Sequence, residues 1–130
     1  MFDNNVFIDG TCRNYGDESK VSGYELQTNI TYYRGVPLSM INWIHVEADG
    51  KKENDEDIII SIDRNDWFTL KEAETVTTYK WEFGDPLYIR VKKEGGLSKG
   101  SHKVKLTVAT RTAYIPIPLE GIKERDVEIR

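Results

Sequence analysis

The chain has 130 residues, the length of one domain, and at 15.0 kDa it buries roughly 65–70% of its unfolded surface, enough for a core without covalent staples. A net charge of −4 and a pI near 5.2 argue against a nucleic-acid or anionic-membrane surface. Hydrophobic residues at 38% and charged residues at 31% exclude a disordered chain, and the single cysteine, Cys12, excludes an internal disulfide framework. The first residues carry no basic and apolar leader, and the longest aliphatic run is Ile58-Ile59-Ile60, so the expectation is a cytoplasmic protein with no membrane span.

In chain order, Val6 to Ile8 predicts a short apolar strand and Gly10 to Ser22 a polar loop. Gly23 to Thr31 alternates, with Tyr24, Leu26, Thr28 and Ile30 opposite Glu25, Gln27 and Asn29. It leads into the stretch that organises the chain, Thr31 to Gly50. Tyr32, Tyr33 and Arg34 come first, and Gly35 and Pro37 break the ladder. From Ser39 to Ala48 a strand of period two places Met40, Asn42, Ile44, Val46 and Ala48 on the core face. Ile41, Trp43, His45 and Glu47 fall on the other face, where a loop or another chain covers Trp43. Asp49-Gly50 is a hairpin turn, and the charged residues after it are solvated surface.

Asp57 to Asp63 is a β-branched strand ending in an Asp63-Arg-Asn-Asp turn, and Trp67 to Leu70 is another short strand. Leu70 to Glu74 is helix-friendly for no more than a turn or two. Tyr79, Trp81 and Phe83 alternate up to Gly84-Asp85-Pro86. Leu87, Ile89 and Val91 face one way, with Tyr88, Arg90 and Lys92 opposite. After the Glu94–Gly100 loop, Ser101 to Thr112 puts Val104, Leu106 and Val108 inward and Lys103, Lys105 and Arg111 outward. Short strands separated by turn signals predict an all-β, antiparallel β-sandwich in one domain, residues 1–130. Its tail, 114–130, is extended: Pro116 and Pro118 bar it from the centre of a sheet, leaving an edge strand or polyproline II, and Val127 and Ile129 hint at a last short strand.

Catalytic signals are few. There is no CxxC, no HExxH, no Walker loop and no nucleophile elbow. His45 and Glu47 share a strand face, yet two ligands do not make a zinc site, and His102 is placed to cap a strand end. Asp49, Asp55, Glu56 and Asp57 lack the order of an EF-hand loop. No catalytic residue and no bound metal or cofactor is assigned to this chain. Its aromatics, among them Trp43, Trp67, Trp81 and Tyr88, exceed what a small core needs, which favours a sugar-stacking or protein-binding face.

Four blocks then carry a resemblance: Tyr32-Tyr-Arg-Gly-Val-Pro-Leu-Ser-Met-Ile41, Trp81-Glu-Phe-Gly-Asp-Pro86, Gly95-Gly-Leu-Ser-Lys-Gly-Ser-His102, and Tyr114-Ile-Pro116. Together they resemble the small (β) subunit of bacterial C-glycoside deglycosidases. None of the blocks is a catalytic signature, and the stretches Asn14–Lys20 and Lys51–Asp57 are peculiar to this chain. The resemblance implies a hetero-oligomeric carbon–carbon lyase acting on 3-oxo-C-glucosides of flavonoid-type aglycones. Its catalytic α-subunit has a sugar-isomerase-like barrel holding a divalent metal, manganese, and the β-subunit is inactive alone. Within it, Tyr32, Tyr33, Arg34, Pro37, Leu38, Met40, Trp43, Trp81 and Phe83 are candidates for the substrate pocket or subunit interface. Arg34 has a plainer reading too, as a surface arginine or one paired to Glu82 or Asp85. The alternatives from other classes are a non-enzymatic carbohydrate- or protein-binding sandwich, against which the missing secretion signal weighs, and an independent metal-dependent hydrolase, which lacks a ligand cluster.

Overall fold

A computed structural model describes residues 6–17, 20–29, 36–77, 79–81, 85–112 and 115–129. It is an all-β sandwich of two antiparallel sheets. The first has strands β1 (Arg13–Asp17), β2 (Lys20–Thr28), β6 (Ile58–Ser61), β7 (Phe68–Thr69) and β9 (Leu87–Lys92), in the order β1-β2-β9-β6-β7. The second has β4 (Ile41–Ala48), β5 (Lys51–Lys52), β10 (Gly100–Thr112) and β11 (Ile115–Ile129), in the order β11-β10-β4-β5. A small ladder of β3 (Val36–Pro37) with β8 (Lys80–Trp81) completes the described strands.

The core forms where the alternating sides of the two sheets meet. Tyr24, Leu26, Ile58, Ile60, Leu87, Ile89 and Val91 come from the first sheet. Ile44, Val46, Val104, Leu106, Val108, Val127 and Ile129 come from the second, and all are buried. Period-two alternation makes these positions face inward, as it makes Glu25, Tyr88 and Arg90 face outward. Ile58 and Ile60 of the triple isoleucine are buried and Ile59 is half-buried on the outer side.

The register corrects the expected face of β4. Trp43 sits opposite Ala109 and Ile41 opposite Thr110, so Asn42 has no partner and bulges. The extra residue shifts the alternation. Ile41 is buried and Asn42 exposed, the reverse of unbroken period-two reading, while Ile44, Val46 and Ala48 keep their core places. Met40 is not in the strand; it ends a turn of 3-10 helix, Leu38–Met40, and packs half-buried on the core.

Two further expectations change at the N-terminal end. Val6 to Ile8 is not a strand: Phe7 has φ +59, with its amide donating to Thr28 Oγ1 and the Arg125 Nε donating to its carbonyl at 2.5 Å. Left-handed backbone at a phenylalanine is unfavourable, and the buried ring offsets it. Most of the stretch 10–22 is a hairpin rather than a loop, with β1 paired to β2 and a shift at Tyr15/Gly16. Polar side chains obscured β1, an edge strand whose inward positions, Asn14 and Gly16, carry no apolar signal.

The tail is an edge strand, as one of its two readings required. Fifteen residues of it, Ile115–Ile129, form β11 and pair along the 13 residues of β10 from Ile129↔Gly100 to Ile115↔Thr112, with a register shift near the prolines. Val127 and Ile129 therefore belong to this one long strand and are buried. The side chains of Ile115, Ile117 and Leu119 lie outside the described residues. Helix α1 (Leu70–Ala73) is the single turn expected, closed by a capping box between Thr69 and Glu72.

Candidate partner-binding surface

The outer face of the five-stranded sheet is built around a carboxylate that is only 1% exposed. Register places Arg13, Glu25, Arg90, Ile59 and Thr69 in one row across β1, β2, β9, β6 and β7. Charge alone makes Glu25 costly to bury, so the row must supply counter-charge. It does: Arg90 Nε donates to Glu25 Oε1 at 2.9 Å and Arg13 Nη2 stands 3.7 Å from Oε2. Arg64, from the loop after β6, adds a two-pronged contact at 3.1 and 2.9 Å.

That loop is shaped for the purpose. Ser61 Oγ accepts the amides of Asp63 and Arg64, and Asp63 Oδ1 accepts those of Asn65 and Asp66. These amide bonds hold the Asp63 carboxyl below the usual range. Arg64 takes φ +64, which folds its side chain back over the sheet, and its carbonyl accepts the Trp67 indole N–H at 3.3 Å. Burial lowers the Arg64 pKa, the hydrogen bonds and charge of Glu25 raise it, and the net shift is upward.

Aromatic rings pack the guanidiniums from their faces. Arg90 lies between Tyr15, 4.5 Å from its guanidinium carbon, and Trp67, at 4.3 Å; Arg64 covers Tyr88 at 4.2 Å. Tyr15 reaches Arg90 because Gly23 leaves it room: a Cβ there would sit 2.9 Å from the tyrosine ring and 2.0 Å from the Val91 carbonyl. Trp67 and Tyr88 were singled out from the aromatic surplus. Arg13, Tyr15, Glu25, Arg64 and Arg90 were not, although the outward alternation of Glu25 and Arg90 was a usable signal.

On the opposite sheet Trp43 is half-buried. Its indole spans β10 above Ala109 to donate to Glu120 Oε2 at 2.9 Å, and its ring lies within 21° of parallel to that of His45. His45 Nδ1 is enclosed without a hydrogen-bond partner, 3.6 Å from Asp55. Glu47 turns instead to Lys105 at 3.7 Å, so His45 and Glu47 do not converge on a metal position. A cleft of ≈ 330 Å³ runs beside Trp43 to helix α1, walled by Leu70, Lys71 and Asp55.

The remaining candidates separate. Leu38 and Trp81 are fully buried, with Trp81 Nε1 donating to the Asp85 carbonyl at 3.0 Å. Pro37 is half-buried in β3 beside them. Tyr32, Tyr33, Arg34 and Phe83 lie outside the described residues. His102 does hold a strand end, bridging Asp49 Oδ2 at 2.6 Å and the Ser98 carbonyl at 2.7 Å. Cys12 is buried, and burial pushes its thiol up to about 12, which makes it a poor nucleophile.

Among the described residues no three His, Cys, Asp or Glu side chains gather as a metal site, and no helix is long and apolar enough to cross a membrane. A family model described as C-glycoside deglycosidase beta subunit matches residues 2–114, and the chain belongs to that family. The C-glycoside deglycosidase beta subunit of Eubacterium cellulosolvens is 29% identical over 109 residues, 84% of this chain and 74% of that protein. The 3'-dehydrocarminate deglycosidase beta subunit of a Microbacterium species is 29% identical over 96 residues, 74% of this chain and 71% of that protein. A beta subunit implies a partner subunit in a multi-subunit enzyme.

Proposed function

We propose that the chain is the accessory β-subunit of a cytoplasmic, heteromeric lyase that cleaves the carbon–carbon bond between a 3-oxo-glucosyl group and a flavonoid-type aglycone. The family match over residues 2–114 carries this reading. The relative named for 3'-dehydrocarminate supports the oxidised sugar, because a dehydro position at 3' is a ketone. A ketone acidifies the neighbouring C–H. Removing that proton gives an enolate, which expels the aglycone from the next carbon with the electron pair of the broken bond, and the released aglycone carbon takes up a proton. The base and the divalent metal, manganese, that would steady the enolate oxygen are assigned to a barrel-shaped α-subunit. His45 and Asp55 offer at most two donors here, too few for that ion. The β-subunit steadies the α-subunit and completes the assembly.

Turnover of a 3-oxo-C-glucoside by this chain, by the α-subunit and by their mixture tests the proposal. The mixture is expected to cleave and this chain alone to be silent. Cleavage by this chain alone with metal added, or an α-subunit indifferent to its presence, would overturn it.

A further inference from the structure

We infer that the arginine–aromatic layer on the five-stranded sheet is the surface that docks the α-subunit, and that it receives a carboxylate-bearing element of that partner. This rests on the β-subunit reading and adds the face and its chemistry.

Arginine, tryptophan and tyrosine are the residue types that dominate protein interfaces. Here Arg13, Arg64, Arg90, Tyr15, Trp67 and Tyr88 form one continuous layer on an outward sheet face. Each side chain but Arg13 is already held by stacking or by Glu25, so little rotamer freedom remains to be lost on binding. Burying a carboxylate beneath guanidiniums is an inefficient way to stabilise a fold, and Arg64 adds a left-handed backbone to achieve it. The arrangement makes sense as a surface held ready for something else.

Charge identifies the occupant. Three guanidiniums meet one carboxylate, although the chain as a whole carries −4. Arg90 spends only Nε on Glu25, which leaves its two Nη groups as donors, and the Arg13 side chain is 66% exposed. The neighbouring carboxylates are engaged locally: Asp63 accepts amides of its own turn, and Asp66 accepts the Tyr79 hydroxyl. Stacked guanidiniums present their edges, which match a carboxylate in two-pronged geometry.

Affinity between purified α-subunit and this chain, measured over a series of salt concentrations, tests the assignment. Arg13→Glu changes the rim and leaves the closer Arg64 and Arg90 contacts to Glu25 in place. Lys105→Glu makes the same change of two charges on the opposite face. Arg13→Glu is expected to weaken the complex at least about 10-fold at low salt and to flatten its salt dependence, as loss of a complementary charge does. Lys105→Glu is expected to stay within about 2-fold of wild type. Arg13→Ala, which adds no repulsion, should fall between them if the surface is the docking face. A wild-type complex insensitive to both Arg13 variants, with melting unchanged, overturns the assignment alone, as does a complex weakened only by Lys105→Glu. A wild-type chain that binds no α-subunit overturns the deglycosidase reading itself.

Discussion

On the four-stranded sheet, Lys105 meets Glu47 at 3.7 Å and Lys103 meets Asp126 at 3.8 Å, with all four side chains open to water. On the five-stranded sheet, a single carboxylate at 1% exposure collects three arginines, two of them at hydrogen-bond distance. Both faces are charged and both point away from the core, but they use charge differently. Exposed pairs contribute about 0–1 kcal/mol and chiefly keep a sheet soluble. A shielded carboxylate fixes the orientation of the arginines around it, because without them it would lie unpaired away from water. Exposure, rather than the number of charged residues, distinguishes a solvated face from an organised one.

The largest expected effect separates a strand from the charges it carries. Deleting everything after Ala113 removes β11, the ladder along β10, and the buried Val127 and Ile129. Burial of the two side chains alone is worth about 3–6 kcal/mol, comparable to much of a small domain's stability. The truncated chain should fail to fold or should aggregate through the bared edge of β10. Unchanged melting and unchanged assembly would show that the strand is dispensable and that β10 tolerates being an edge.

Removing the central charge comes next. Glu25→Gln leaves Arg64 and Arg90 without their counter-charge and should destabilise by about 3–5 kcal/mol in denaturant titration. Glu120→Ala on the other sheet loses one exposed hydrogen bond from the Trp43 indole, with an expected loss of about 0.5–1 kcal/mol. Equal losses would erase the distinction between the two faces. A near-neutral Glu25→Gln would mean that water or the aromatic rings satisfy the guanidiniums without it.

What could be read from the sequence follows from the same contrast. The strand positions with apolar alternation, Leu87 to Val91 and Val104 to Val108, were legible because a core face needs nothing beyond period two. The bulge at Asn42 was not: one extra residue leaves no mark in hydrophobicity and shows only in how β4 registers against β10. The Glu25 cluster joins Arg13, Glu25, Arg64 and Arg90 from four separate segments. Each of these charges, taken singly, reads as solvated surface. Trp67 and Tyr88 stood out only because the chain has more aromatics than its core requires. That surplus pointed to an exposed face without saying which sheet bears it.

The smallest effect concerns His102, at the end of the four-stranded sheet where charge is not merely solvated. Asp49 and Gly50 both have positive φ, 53° and 83°, and turn β4 tightly into β5. His102 ties that turn to the loop before β10, with one ring nitrogen at Asp49 and the other at the Ser98 carbonyl. A neutral imidazole has one N–H and can serve only one of these acceptors; the imidazolium serves both. The Asp49 hydrogen bond and then the Ser98 carbonyl raise the His102 pKa, and the His102 and Lys103 contacts lower that of Asp49. A raised histidine pKa stabilises the fold fully below about 6.5, its unfolded value, and that gain disappears as pH rises through the folded value. A lowered aspartate pKa stabilises above about 3.8 and is lost as pH falls through the folded value, so the clip is strongest from about 4 to 6.5. Thermal melting of wild type and His102→Gln at pH 6 and pH 8.5 isolates this contribution. Wild type should melt higher at pH 6, and the gap should narrow at pH 8.5. A gap that does not change with pH would show that His102 holds the turn by shape and not by charge.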